Sequence, residues 1–180
     1  MAVYFIADTH FDDENILRYE NRPFETVDKM NQAIIDNWNT RITEKDTVYF
    51  LGDIGNDSYV SQLKGIKYLI KGNHDTRENA YYRSIGFTEV YDLPVVYDNF
   101  WILSHEPLYM NRNMPYANIF GHVHDNPSYK TVSVRSYCVC VERINYTPVS
   151  LEQIHSEIEN KKYPPTLPVD GHLIPSQNNS

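Results

Sequence analysis

Five short pieces of the chain carry side chains that bind divalent metal ions. They are Asp8-Thr9-His10, Gly52-Asp53, Gly72-Asn73-His74-Asp75, Ser104-His105 and Gly121-His122-Val123-His124, and each follows a short apolar run. Five of the seven histidines fall inside them, which makes a shared site a better account than scattered surface imidazoles. Two cations about 3.5–4 Å apart, joined by a common carboxylate, activate water for in-line attack on an ester. Asp53 suits the bridge, because one carboxylate has two oxygens to offer. Imidazole nitrogen with carboxylate and amide oxygen makes a mixed shell that suits Mn, Fe, Zn, Co or Ni without choosing among them.

The spacing agrees with that chemistry. Residues two apart on extended backbone point the same way, and a turn after Gly121 can aim His122 and His124 at separate ions. In Gly72-Asn73-His74-Asp75 consecutive side chains diverge, so one can hold metal while the next faces substrate.

The elements that must position these residues read as follows. Val3–Ala7, Thr47–Leu51 and Ile66–Lys71 are apolar, β-rich strands that end at Asp8, just before Asp53 and at Gly72. Between them lie a short helix around Glu14–Tyr19 and an amphipathic one over Thr26–Arg41, with Val27, Met30, Ile34 and Trp38 on one face. A further short helix, capped by Asn56 or Asp57, ends near Gly65, and another runs over Thr76–Ile85 until Gly86 stops it. Strands alternating with helices predict a parallel α/β sheet with polar residues at its C-terminal edge.

After Gly86 the pattern changes to short strand candidates at Phe87–Tyr91, Pro94–Asp98, Phe100–Ser104, Asn118–Gly121 and Val132–Ile144. This half reads as a meander forming a second sheet packed on the first. Ser150–Lys161 predicts an amphipathic helix, with Leu151, Ile154 and Ile158 on one side and His155 near that face. We expect a single domain over 1–162 and a Pro-rich tail over 163–180, in which His172 has no partner nearby.

Composition bounds the rest. A hydrophobic content of 41% is that of a globular chain,. The formal charge of −8 comes without a basic stripe, which argues against binding duplex nucleic acid. Cys138 and Cys140, two apart in an alternating run, read as small core residues rather than as a metal or redox pair. No signal segment or membrane-length apolar stretch is visible, and a cytoplasmic location is the expectation.

The five pieces together match, in order, the signature of the calcineurin-like metallophosphoesterases: Asp-x-His, Gly-Asp, Gly-Asn-His-Asp/Glu, a lone His, and Gly-His-x-His. The chain resembles that family from residue 8 to 124. The resemblance implies a sandwich of two mixed β-sheets flanked by α-helices, with the site where the loops of the sheets converge. It implies that Asp8, His10 and His124 hold one metal, that Asn73, His105 and His122 hold the second, and that Asp53 bridges. His74 would act on the phosphate or leaving group, with Asp75 orienting its ring. The cofactors implied are two divalent ions, manganese ahead of Fe, Zn, Ni or Co.

A narrower likeness runs through Asp8-Thr9-His10-Phe11, Asn15-Ile16, Asn21-Arg22-Pro23-Phe24 and Leu103-Ser104-His105-Glu106-Pro107. These resemble a branch of small bacterial and phage phosphoesterases. That branch commonly has glycine then histidine where this chain has Asp12-Asp13, which removes an imidazole at the rim and adds negative charge.

Sixteen residues separate His105 from His122, too few for a cap domain. The open site this implies favours a phosphodiester, with a monoester or short oligonucleotide as alternatives. Arg18, Arg22, Arg77, Tyr109 and Arg112 are the candidate contacts to a small phosphoester or nucleotide. The competing class is a non-catalytic scaffold of the same fold.

Overall fold

The sandwich is built from strands whose alternate residues face opposite cores. β1 (Val3–Ile6), β2 (Thr47–Phe50), β3 (Ile66–Ile70) and β4 (Phe87–Tyr91) run parallel in a computed structural model. It describes residues 1–111, 113–129, 133 and 135–162. Ile6, Val48, Phe50 and Leu69 point into one core, while Phe5, Ala7, Leu51 and Ile70 point into the other. That alternation is the strand period of two.

Helices α1 (Glu14–Tyr19) and α2 (Val27–Arg41) connect β1 to β2. Thr26 Oγ1 caps α2 by accepting from Lys29 N at 3.2 Å. Met30, Ile34 and Trp38, on one face of α2, are fully buried against the first sheet. A 3-10 turn at Asp57–Gln62, capped by Asn56, leads to β3. Helix α3 spans only Asn79–Ser84. The expected start at Thr76 fails because the preceding chain is held in tight turns, with Asp75 N and Thr76 N bonded to Gly72 O and His74 O.

The second sheet has the order β5 (Val95–Tyr97), β6 (Trp101–Ser104), β7 (Ala117–Phe120), β8 (Ser136–Cys138). Here the meander expectation is corrected. Only β5 and β6 form a hairpin, through Asp98 and Asn99 at positive φ, whereas β6, β7 and β8 are parallel. Parallel neighbours cannot be joined by tight turns, and β4 belongs to the first sheet. The long strand expected over Val132–Ile144 is also shorter: the chain leaves β8 and makes a 3-10 turn at Val141–Arg143. Val132, Arg112, His172 and the 163–180 tail lie outside the described residues.

β9 (Val149–Ser150) pairs antiparallel with β1, and α4 (Leu151–Lys162) sends Ile154 and Ile158 into the core between the sheets. His155 is exposed but lies beside that apolar face, edge-on to Trp101, which belongs to the same core. Cys140 is buried and Cys138 half-buried; both are free, Sγ to Sγ 3.2 Å, packed with Phe120 and Val123. Among the described residues no helix is long and apolar enough to cross a membrane.

Asp46 pins the entries of β1 and β2 together. It accepts from Ala2 N at 2.8 Å, Thr43 N at 3.0 Å and Thr43 Oγ1 at 2.7 Å. The bond from Ala2, then those from Thr43, hold its carboxyl at about 2, below the ordinary 3.8. A depressed carboxyl stabilises the fold above its unfolded value, and that contribution is lost as pH falls from about 4 towards 2. Asp46→Asn should therefore lower urea stability at pH 7 and flatten the acid limb of the stability curve. An acid limb identical to wild type would remove this role.

Candidate metal centre

Parallel pairing brings the polar strand ends together. β1, β2 and β3 are in register at Ile6, Phe50 and Leu69, so Asp8, Asp53 and Asn73 emerge along one edge. In the second sheet Ser104 pairs with Phe120, so His105 and the Gly121–His124 turn emerge along another. Strand β1 touches the second sheet's chain at the same place, Ala7 N donating to Val139 O at 2.9 Å and Ala7 O accepting from Val141 N at 3.2 Å.

Five site residues sit at positive φ: Asp8 at 60°, His10 at 47°, Asp53 at 58°, His122 at 70° and His124 at 47°. Each such residue costs on the order of 1 kcal/mol or more, and strain of this kind gathers at functional sites. Neighbouring backbone holds it, through Asp8 N to Gly52 O at 2.9 Å and His10 N to Asp53 O at 3.1 Å.

Asp8 and Asp53 each commit one oxygen to a backbone amide and turn the other to the cluster. Asp8 Oδ2 accepts from His122 N at 2.8 Å, and Asp53 Oδ1 accepts from His74 N at 2.9 Å. Asp53 Oδ2 then lies 3.6 Å from His10 Nε2 and 3.5 Å from His105 Nε2. Asp8 Oδ1 lies 3.8 Å from His124 Nε2. Asn73 Oδ1, His105 Nε2 and His122 Nδ1 form a triangle with sides of 3.0, 3.0 and 3.1 Å. Donor atoms about 2.1 Å from one ion and at right angles stand about 3.0 Å apart, so this triangle has the dimensions of a ligand face.

The donor atoms fit cations in three further respects. Asp8 Oδ1 and His10 Nε2 are buried without a hydrogen-bond partner, which is costly unless something else satisfies them. Asp8, His10 and His124 converge as one candidate ligand group, and Asp8, Asp53 and His105 as another. Two rings also have the proton placed away from the cluster, His105 Nδ1 against Leu51 O at 2.8 Å and His124 Nδ1 against Glu142 Oε1 at 3.0 Å. That leaves each Nε2 as a lone-pair donor.

Burial also sets the charge states. It lifts the Asp8 carboxyl to about 6, with His105 and His124 drawing it part of the way back. It lowers His10 to about 4, keeping the ring neutral, which is the ligating form,. Burial lowers His122 as well. Burial alone would also lower His124, but the bond to Glu142 and the charge of Asp8 outweigh it and raise the ring.

The model of the family described as calcineurin-like phosphoesterase matches residues 1–178. The chain belongs to that family. It is 36% identical to an uncharacterized protein of Methanocaldococcus jannaschii, over 92% of this chain and 96% of that one. It is also similar to the crystal structure of a protein of unknown function from Aquifex aeolicus, at 27% identity and a TM-score of 0.66, covering 86% and 98% of the two chains. A looser likeness, at 20% identity and a TM-score of 0.44, is to the nuclease MPE of Pseudomonas putida, over 68% and 60%. Calcineurin-like phosphoesterases normally use a binuclear divalent centre, and this one has candidate Asp and His ligand groups.

Two expectations for the site residues are corrected. Asp75 does not orient the ring of His74. Its buried carboxylate accepts from Asp53 N at 2.8 Å, Gly72 N at 2.9 Å and Ile54 N at 3.2 Å, clamping two strand-end turns together. Arg22 does not reach out to substrate. Its side chain is fully buried, and it donates to Glu142 Oε1 from Nε at 2.9 Å and Nη2 at 2.7 Å. It also donates to Thr9 O at 2.8 Å and Asp8 O at 2.7 Å.

Of the other candidate contacts, Arg18 is exposed and 3.7 Å from Glu14, Arg77 lies over the Tyr81 ring, and Tyr109 is exposed; Arg112 lies outside the described residues. The Asp12-Asp13 departure is structural. Asp13 caps α1, and Asp12 is held by Asn31, Asn56 and Tyr59. The residue that sequence reasoning missed is Glu142. It lay inside an expected strand, and only the turn at Val141–Arg143 brings it behind His124.

Gly121 lies against Asp8. A Cβ there would stand 2.5 Å from Asp8 Oδ2 and 2.6 Å from the Ala7 Cβ. Gly121→Ala should therefore displace the Asp8 carboxylate, weakening cation binding in a calorimetric titration. By urea unfolding it should cost about 1–3 kcal/mol. Unchanged cation affinity would show that the Asp8 position does not matter.

Proposed function

We propose that this calcineurin-like phosphoesterase is a binuclear-metal-dependent hydrolase of phosphodiesters. The observation that carries the reading is the position of Asp53 Oδ2, within 3.6 Å of an imidazole from each donor set. Asp8, His10 and His124 would hold one divalent ion, and Asn73, His105 and His122 the other. Asp53 would belong to both. When bound, the pair supplies an acidified water and positive charge for the phosphoryl oxygens.

The side chains do the rest. His105 and His124 are fixed in orientation by Leu51 O and Glu142. His74 stands at the mouth, its side chain 65% exposed and its Nε2 4.0 Å from Asp53 Oδ2. Its backbone amide is pinned to Asp53 Oδ1, so the ring has a set base and a solvent-facing tip. From there it can give a proton to the departing alkoxide oxygen.

The arginines support a diester over a monoester. Arg22 is turned inward onto Glu142, Arg18 stands beside Glu14, and Arg77 rests on Tyr81. The Arg22 fork, at least, is spent inside the protein and does not meet the second negative charge of a monoester,. Asp13 Oδ2, 3.8 Å from His10 Nδ1, adds negative charge beside the site. A small phosphoester or nucleotide with one charge at phosphorus fits best.

The test uses metal-stripped protein resupplied with Mn, Ni, Zn or Mg, on bis(4-nitrophenyl) phosphate and 4-nitrophenyl phosphate. Metal should restore cleavage of the diester in preference to the monoester, and Asn73→Ala should abolish it. His74→Ala should lower kcat by about 10²–10⁴-fold with both ions still bound. Loss of ions along with turnover in His74→Ala would remove its proposed role. A monoester preference would overturn the diester reading, and silence with no cations bound would favour the scaffold.

A further inference from the structure

We infer that Glu142 positions His124 for cation binding and that Arg22 holds Glu142 in place to do it. The inference rests on the binuclear reading above. One oxygen, Glu142 Oε1, accepts three hydrogen bonds: from His124 Nδ1 at 3.0 Å, Arg22 Nε at 2.9 Å and Arg22 Nη2 at 2.7 Å. The three side chains are 5%, 15% and 0% exposed for Glu142, His124 and Arg22. Water therefore does little to compete for these bonds.

The bond to Oε1 places the ring proton on Nδ1 and leaves the Nε2 lone pair facing Asp8 Oδ1. Without an acceptor behind it, the ring is free to carry its proton on Nε2, where it would point at the cluster and block ligation. The turn that carries Glu142 grips His124 a second time, because Arg143 Nε donates to His124 O at 2.6 Å. Ring and backbone of one ligand are thus held from the same three-residue turn.

Arg22 extends the hold to the other sheet. Its Nη1 donates to Thr9 O and its Nη2 to Asp8 O, so one guanidinium links the backbone of Asp8 to the carboxylate behind His124. A lysine carries one point charge and cannot reproduce this fork. A buried ion pair is weak evidence for stability in itself. Here Glu142 Oε2 is buried without a partner, so the side-chain bonds that favour burying this carboxylate are those at Oε1, to His124 and Arg22.

The experiment is a calorimetric Mn titration of metal-free protein, run for wild type, Glu142→Gln, Arg22→Lys, His124→Ala and the double variant His124→Ala/Glu142→Gln. Wild type should bind two ions. Glu142→Gln should weaken one of them about 10–100-fold and leave the other unchanged, with Arg22→Lys shifting the same ion less. The double variant should bind no worse than His124→Ala, since Glu142 acts through that ring. Ring-nitrogen NMR should show His124 moving towards the Nε2-protonated tautomer in Glu142→Gln, a signature that a merely structural role would not give.

Two intact ions in Glu142→Gln, equal weakening of both, or additive loss in the double variant would each overturn the inference while the binuclear reading stands. A wild type that binds no cations would overturn the binuclear reading itself. Should Glu142→Gln fail to fold, Arg22→Lys decides: one weakened ion supports the inference, and two intact ions overturn it.

Discussion

The hydrogen bond from His122 N to Asp8 Oδ2 is the contact on which the site depends. It joins the end of β1 to the turn after β7, so it ties the C-terminal edge of one sheet to that of the other. It also fixes which oxygen of Asp8 is left for the cluster. Asp53 repeats the device within its own sheet, taking His74 N on one oxygen and facing two imidazoles with the other. A carboxylate held by one oxygen is preorganised, and its free oxygen needs no further ordering to meet a ligand. Replacing Gly121 with a larger residue is harmful for the same reason, because the amide and the carboxylate need close approach.

The strained turns follow from the same geometry. Strands end in register, and the next residue must turn sharply if its side chain is to reach the middle of the cluster rather than continue along the strand. Asp8, His10, Asp53, His122 and His124 accomplish this at positive φ without being glycine. The chain can hold them there because the flanking segments are well anchored. Fully buried Phe5, Ile6, Phe50 and Leu51 precede two of the turns, and the Asp75 carboxylate clamps the amides of Gly72, Asp53 and Ile54. Core burial of this kind is what offsets local strain at a site.

Much of this was legible in the sequence, for definite reasons. The first half is readable because its strands are continuous apolar runs and α2 has a clear helical face, so Val3–Ile6, Thr47–Phe50, Ile66–Ile70 and Val27–Arg41 fall within a residue of expectation. The second half is less readable because strand direction is not encoded in strand composition. β6, β7 and β8 look like meander strands until their parallel pairing is seen. Arg22 was read as reaching substrate and Asp75 as orienting the His74 ring, and the sequence holds no signal that both side chains are buried and bonded to backbone. Glu142 was invisible because its partners are 18 and 120 residues away.

Charge gives the last step of synthesis. Arg22 and Glu142 cancel as a pair, so they leave the negative charge of Asp8 and Asp53 uncompensated within the cluster, and burial disfavours that charge. With the histidines neutral, two divalent ions would reverse the sign of the site and make it positive. That local sign matters in a chain whose overall formal charge is −8. An anion would be repelled at long range and attracted at short range, where the low dielectric strengthens Coulomb terms and salt screens them least. The inward commitment of Arg22 is part of this logic, since the positive charge that could have met substrate directly is used instead to hold Glu142 behind His124.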